Sequence, residues 1–177
     1  MQLTRFKQTK SLLFTTVFTL VLAFIFGVVM PLTAQAQAKE KQENIYNPAL
    51  DVKGEIIKSM DQAKKENKHI ILMFGANWCP WCHRLHQLLK ADAAIKQFLA
   101  ANYLLIMVDI GEKSNEPLNR DLVARYGLGK MGYPCLAILS ADETLLCAQS
   151  SGVLEKGKGH DPEKVLCLLK AEAPAKK

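Results

Sequence analysis

His69-Ile70-Ile71-Leu72-Met73-Phe74-Gly75, then Ala76-Asn77, then Trp78-Cys79-Pro80-Trp81-Cys82, is the stretch from which the rest of this chain is read. The run up to Gly75 is almost wholly apolar, the pattern of a strand buried on both faces in a parallel sheet. Two cysteines three positions apart follow it, at the expected start of a helix, which is the geometry of a reversible dithiol/disulfide pair. Unpaired N–H groups and the positive end of the helix dipole favour thiolate over thiol at such a position, so Cys79 is expected to be the more reactive sulfur. Cys82 falls nearly one turn further on, shielded on the inner side of the helix but close enough for intramolecular attack on a mixed disulfide. Pro80 lacks an N–H and has a fixed φ, which stiffens the first turn. Trp78 and Trp81 flank the dithiol with apolar surface, as packing residues or as substrate contacts.

Working outward, Val52, Ile56, Ile57, Met60 and Ala63 recur at helical spacing, with Asp51 as cap and an end near Asn67. The helix opened by Cys79 is expected to run to about Ala101, with Leu85, Leu88, Leu89, Ile95, Phe98 and Leu99 inside and a break around Ala91-Asp92. Tyr103 to Asp109 reads as a second buried strand and Pro117 to Tyr126 as a helix, with Pro117 in its first turn. A loop, Gly127 to Gly132, precedes Pro134. Strand Cys135 to Leu139, a turn at Ala141-Asp142-Glu143 and strand Leu145 to Ala148 make a hairpin by spacing. Asp161-Pro162 starts a last helix through Leu169.

At the N-terminus, Arg5, Lys7 and Lys10 precede an apolar stretch, Leu12 to Leu32, and no acid occurs before Glu40. Residues 1–38 are therefore expected to be an export signal, cleaved near Gln37 or Lys39, with an uncleaved membrane anchor as the alternative. Either places the domain outside the cytosol. Residues 39–50 are expected to be a flexible tether, 51–171 the folded domain, and 172–177 a disordered tail. Formal charge is +6, but 20 Lys and Arg against 17 Asp and Glu remain after the signal, leaving +3. Basic residues are scattered among acids without an aromatic-interleaved stripe, so no nucleic-acid partner is expected.

Phe74-Gly75-Ala76-Asn77-Trp78-Cys79-Pro80-Trp81-Cys82, with the order of elements and the Gly-Tyr-Pro before the hairpin, resembles the thioredoxin superfamily across nearly the whole mature chain. Within it the chain is similar to exported thioredoxin-like reductases related to the C-terminal domain of the DsbD electron-transfer proteins. The resemblance implies a thioredoxin fold, a central mixed sheet flanked by helices. It implies that Cys79 attacks, that Cys82 resolves, and that Pro134 is a cis proline beside them. It also implies that the backbone of Tyr133 faces the dithiol and can pair with an extended substrate; Tyr133 is bulkier than the residues common there. Thioredoxins carry a buried aspartate six residues before the attacking cysteine, and Met73 stands there instead. Only 24 residues separate Asp109 from Pro134, too few for the helical insertion of the Dsb-type oxidases, and the tether is too short to supply an isomerase's dimerisation domain. The resemblance thus implies a monomeric periplasmic thiol-disulfide oxidoreductase acting as a reductase. Its partners would be disulfide-bonded client proteins and a membrane electron donor of DsbD type, and no cofactor is expected.

Two other readings use the same residues. Cys79-Pro80-Trp81-Cys82-His83 fits the c-type haem attachment pattern, with His83 as proximal ligand and Met107 or Met131 on the other side. Cys79, Cys82, His83 and His86 would make a metal-binding array. Cys135, Cys147 and Cys167 are odd in number; Cys147 and Cys167 are candidates to pair, while inert apolar packing is the expectation for all three.

Overall fold

The computed structural model describes residues 43–112 and 117–176. The expected signal (1–38), the first part of the tether (39–42) and Lys177 lie outside the described residues. Strand β1 (His69–Gly75) is flanked by apolar contacts on both faces, as its continuous run requires, and therefore sits inside the sheet. Strand β2 (Tyr103–Asp109) pairs with it in parallel, from His69 opposite Tyr103 to Gly75 opposite Asp109. Strand β3 (Cys135–Leu139) pairs antiparallel on its other side, and β4 (Leu145–Ser150) pairs antiparallel with β3, giving the order β2-β1-β3-β4.

Alternation along β1 divides the core in two. Ile70, Leu72 and Phe74 pack with Val52, Ile56 and Ala63 of helix α1 (Val52–Glu66) and with Leu122 of α4 (Arg120–Arg125). Ile71 and Met73 pack on the opposite face with α2 (Pro80–Ala91), α3 (Ala93–Asn102) and α5 (Pro162–Ala171). Each fully buried aliphatic side chain contributes about 1.5–3 kcal/mol, so this double-faced strand is the structural spine. α1 begins at Asp51, whose Oδ1 accepts from Gly54 N at 3.1 Å, and ends at Asn67 in the left-handed conformation (φ 52°). The expected break between α2 and α3 falls at Asp92. This residue is extended, ends α2, and accepts from Ile95 N at 2.9 Å to cap α3.

Four expectations are corrected. The helix read from Pro117 to Tyr126 is confined to Arg120–Arg125, because Leu118 N donates to Ile110 O and Asn119 Nδ2 to Asp109 O. Those bonds, with Asn119 at φ 52°, turn residues 117–119 back against the end of β2, so Pro117 precedes the helix. β4 runs two residues further than Ala148, because its ladder continues to Ser150 opposite Cys135. The tail is not loose over 172–176: His69 Nδ1 donates to Glu172 O at 2.8 Å, Asn67 Nδ2 donates to Ala175 O at 3.0 Å, and Ala173 packs on the core. The described end of the tether is likewise fixed, with Tyr46 buried. Between β4 and α5 the chain adds a 3-10 turn (Ser151–Leu154) and a small hairpin of β5 (Glu155–Lys156) and β6 (Gly159–His160).

Candidate active site

Cys79 is the N-cap of α2 in extended conformation, and Pro80 occupies the first helical position. A cap residue must leave the helical φ/ψ while its carbonyl accepts the first bonds, and Cys79 O accepts from Cys82 N and His83 N. Its sulfur substitutes for the usual cap oxygen: Cys82 N donates to Cys79 Sγ at 3.2 Å. Cys79 and Cys82 are joined in a disulfide, their Cα atoms 5.3 Å apart. Cys79 is 4% exposed and Cys82 fully buried, so the outer sulfur is the one a partner can reach. When the pair is reduced, the Cys82 N–H and the helix N-terminus stabilise negative charge on Cys79 Sγ.

Tyr133 and Pro134 are joined by a cis peptide bond, and the Tyr133 carbonyl oxygen lies 3.7 Å from Cys79 Sγ. β3 begins immediately afterwards, so the sheet holds this backbone against the dithiol. Trp78 packs against both halves of the core, and its Nε1 donates to Gly111 O at 2.9 Å, tying the loop before the cysteines to the loop after β2. Trp81 is half-buried, with the Arg84 guanidinium 4.6 Å from its ring centre and the His160 ring edge-on at 5.5 Å. Pro80 is exposed. Trp78, Pro80 and Trp81 thus adjoin the two cysteines along the chain, and the Tyr133–Pro134 segment meets Cys79 through the Tyr133 carbonyl.

Sequence reading missed three residues here. Tyr46 N donates to Asn77 Oδ1 and Asn77 Nδ2 donates to Tyr46 O, both at 2.9 Å, which straps the segment ahead of α1 to the loop before Cys79. No local pattern marks that contact, because its partners are 31 residues apart. The third is His160, 8% exposed, with neither ring nitrogen hydrogen-bonded among the described residues. Burial holds its pKa below the ordinary histidine value; Glu155 opposes that shift and Arg84 adds to it. The folded state thus keeps His160 neutral while the unfolded chain takes a proton below about pH 6.5, so stability is lost as pH falls through that value. Thermal melts from pH 7.5 to 5.5 should show a falling Tm, with a shallower slope in His160→Phe. An identical slope in the variant would count against this assignment.

The haem and metal readings meet different geometry. His83 Nε2 donates to Asn77 O at 2.8 Å, which commits the proximal ligand of the haem alternative to the loop. Met107 and Met131 pack on opposite sides of the sheet. Among the described residues, no three His, Cys, Asp or Glu side chains converge as a metal site. Cys135, Cys147 and Cys167 are unpaired. Cys135 is buried, its thiol pushed up to about 12 by burial, and Cys147 is half-buried with its thiol also raised, but Cys167 is exposed and not a core residue.

A family model described as a thioredoxin-like domain matches residues 57–156. The disulphide isomerase from Xylella fastidiosa Temecula1 superposes with a TM-score of 0.63 at 21% identity, covering 73% of this chain and 96% of that one. The oxidised C-terminal domain of DsbD from Neisseria meningitidis gives a TM-score of 0.49 at 17% identity, covering 68% of this chain and 92% of that one. Spermatogenesis-associated protein 20 of Mus musculus is 38% identical over 55 residues, which is 31% of this chain. The match spans only 7% of the length of that relative.

Proposed function

Given that this chain belongs to the thioredoxin-like family, we propose that it is an exported disulfide reductase, recharged by a membrane electron donor of DsbD type. Family membership and the Cys79–Cys82 pair make it a thiol-disulfide oxidoreductase. In the proposed cycle the Cys79 thiolate attacks one sulfur of a client disulfide, forming a mixed disulfide and releasing one client thiolate. Cys82, once deprotonated, attacks Cys79 Sγ, expels the second client thiolate and closes the Cys79–Cys82 disulfide. Two electrons have then passed to the client, and two from the membrane donor reopen the pair. The Tyr133 main chain and the Trp78, Pro80 and Trp81 surface are the proposed docking ground for an extended client segment, and the protein is proposed to act as a monomer in the periplasm.

The observation that carries this reading is the disulfide closing the first turn of α2 with its outer sulfur beside the Tyr133 carbonyl. The direction is supported by the short connection from β2 to Pro134, which holds α4 of six residues and no other helix among the described residues. Export is supported by the basic start and the Leu12 to Leu32 apolar run. Among the described residues no helix is long and apolar enough to cross a membrane. Equilibration with glutathione buffers tests the direction. Potentials in this fold run from about −270 to −120 mV, and a reductase belongs near the lower end. A value near the upper end would overturn the proposal. Because Met73 has no proton to exchange, insulin reduction should also run slower than with a cytosolic thioredoxin, and equal turnover would argue otherwise.

A further inference from the structure

The position that holds a carboxylate in thioredoxins is filled here by Met73, yet the volume beside the resolving sulfur is not wholly apolar. Tyr46 is 2% exposed and packs in one cluster with Met73, Cys79 and Cys82. Its hydroxyl is buried and has no hydrogen-bond partner among the described residues. A β-carbon on Gly75 would collide with both that hydroxyl and Cys82 Sγ, so the two atoms stand within about 5 Å of each other across a space that only glycine leaves open. An unpaired buried hydroxyl destabilises the fold, a cost that phenylalanine would avoid. A disulfide sulfur is a weak acceptor, whereas a thiolate is a strong, charged one. The hydroxyl lacks a partner beside the closed disulfide, and an opened pair would offer it one.

We propose, resting on the exchange cycle above, that Tyr46 donates a hydrogen bond to the Cys82 sulfur in the reduced and mixed-disulfide states and stabilises the thiolate that completes exchange. Three other groups face this hydroxyl or its surroundings. Cys79 is bonded to Cys82, Cys135 begins β3, and Asp109 ends β2 with its Oδ1 already accepting from Gly111 N at 2.7 Å. Burial first, then Cys135 and Asp109, push the Tyr46 phenol well above its ordinary pKa, so it stays a donor and cannot act as a base. The Cys82 proton leaves to water. The resulting thiolate attacks Cys79 Sγ, the Cys79–client bond breaks, and the departing client thiolate carries the electron pair away.

The test is the two-step reduction of 5,5′-dithiobis(2-nitrobenzoate) by the reduced protein in a Cys147→Ser, Cys167→Ser background. The first thionitrobenzoate released reports attack by Cys79, and the second reports resolution by Cys82. Tyr46→Phe keeps the ring and should leave the first step unchanged. The second step should slow about tenfold or more below its pH midpoint, and that midpoint should rise by about one unit. The two proteins should converge at high pH. An unchanged second step, or equal slowing of both steps, overturns the proposal. So does a midpoint that moves in Asp109→Asn and not in Tyr46→Phe, since the carboxylate would then hold the role. Failure of the unmutated background to release a second thionitrobenzoate would sink the exchange cycle itself, a result distinct from all of these.

Discussion

A Cys82→Ser protein, reduced and returned to the compartment where it acts, should accumulate covalently joined to its clients through Cys79. The outer sulfur still attacks, but no second sulfur lies within reach to expel the client. Non-reducing electrophoresis should show a ladder of adducts that collapses on reduction, and turnover should fall to the uncatalysed background. Cys79→Ser should abolish turnover as well, with no ladder, because the buried Cys82 is not the sulfur a partner meets. If Cys82→Ser traps nothing while retaining its fold, the pair does not exchange with protein disulfides. If Cys79→Ser forms the ladder instead, the order of attack is reversed.

The second large effect is expected at Gly75. An added methyl would meet Cys82 Sγ and the Tyr46 ring and hydroxyl at distances that real β-carbons do not adopt. Gly75 cannot retreat easily, since its carbonyl accepts from Ile110 N and it stands in register opposite Asp109. Gly75→Ala should therefore cost about 1–3 kcal/mol, a fall in Tm of about 3–10 °C for a domain of this size, and should disturb exchange at Cys82. Adding Tyr46→Phe should recover part of that loss by removing one of the colliding atoms. A Gly75→Ala protein that melts with the unmutated chain would mean that the approach of Tyr46 to Cys82 is looser than described.

The sheet and the dithiol were legible because their signals are local. The uninterrupted run Ile70 to Phe74 can satisfy its burial only inside a sheet, and Cys79-Pro80 announces a helix start as clearly as Asp161-Pro162 does. The break at Asp92 was legible too, since an acid flanked by alanines is a ready cap. What escaped is held by contacts far apart in sequence. Asn119 adopts a left-handed conformation while bonded to Asp109, and no periodicity reports a bond ten residues away. Tyr46 lies in a polar, proline-containing segment, and its burial depends on Asn77. Cys167 looked internal because its neighbours are apolar. Val165 and Leu169 lie one turn apart on the inner stripe of α5, and a residue midway between them points outward.

Among short side chains, only asparagine carries a donor and an acceptor on one flat head, which is what lets Asn77 imitate a length of neighbouring strand for Tyr46. Aspartate there would present a second acceptor to the Tyr46 carbonyl, and serine could not span both main-chain groups. Hydrolysis of that one carboxamide, an ordinary ageing reaction of proteins, would therefore unfasten the cover over the inner sulfur while leaving both cysteines intact.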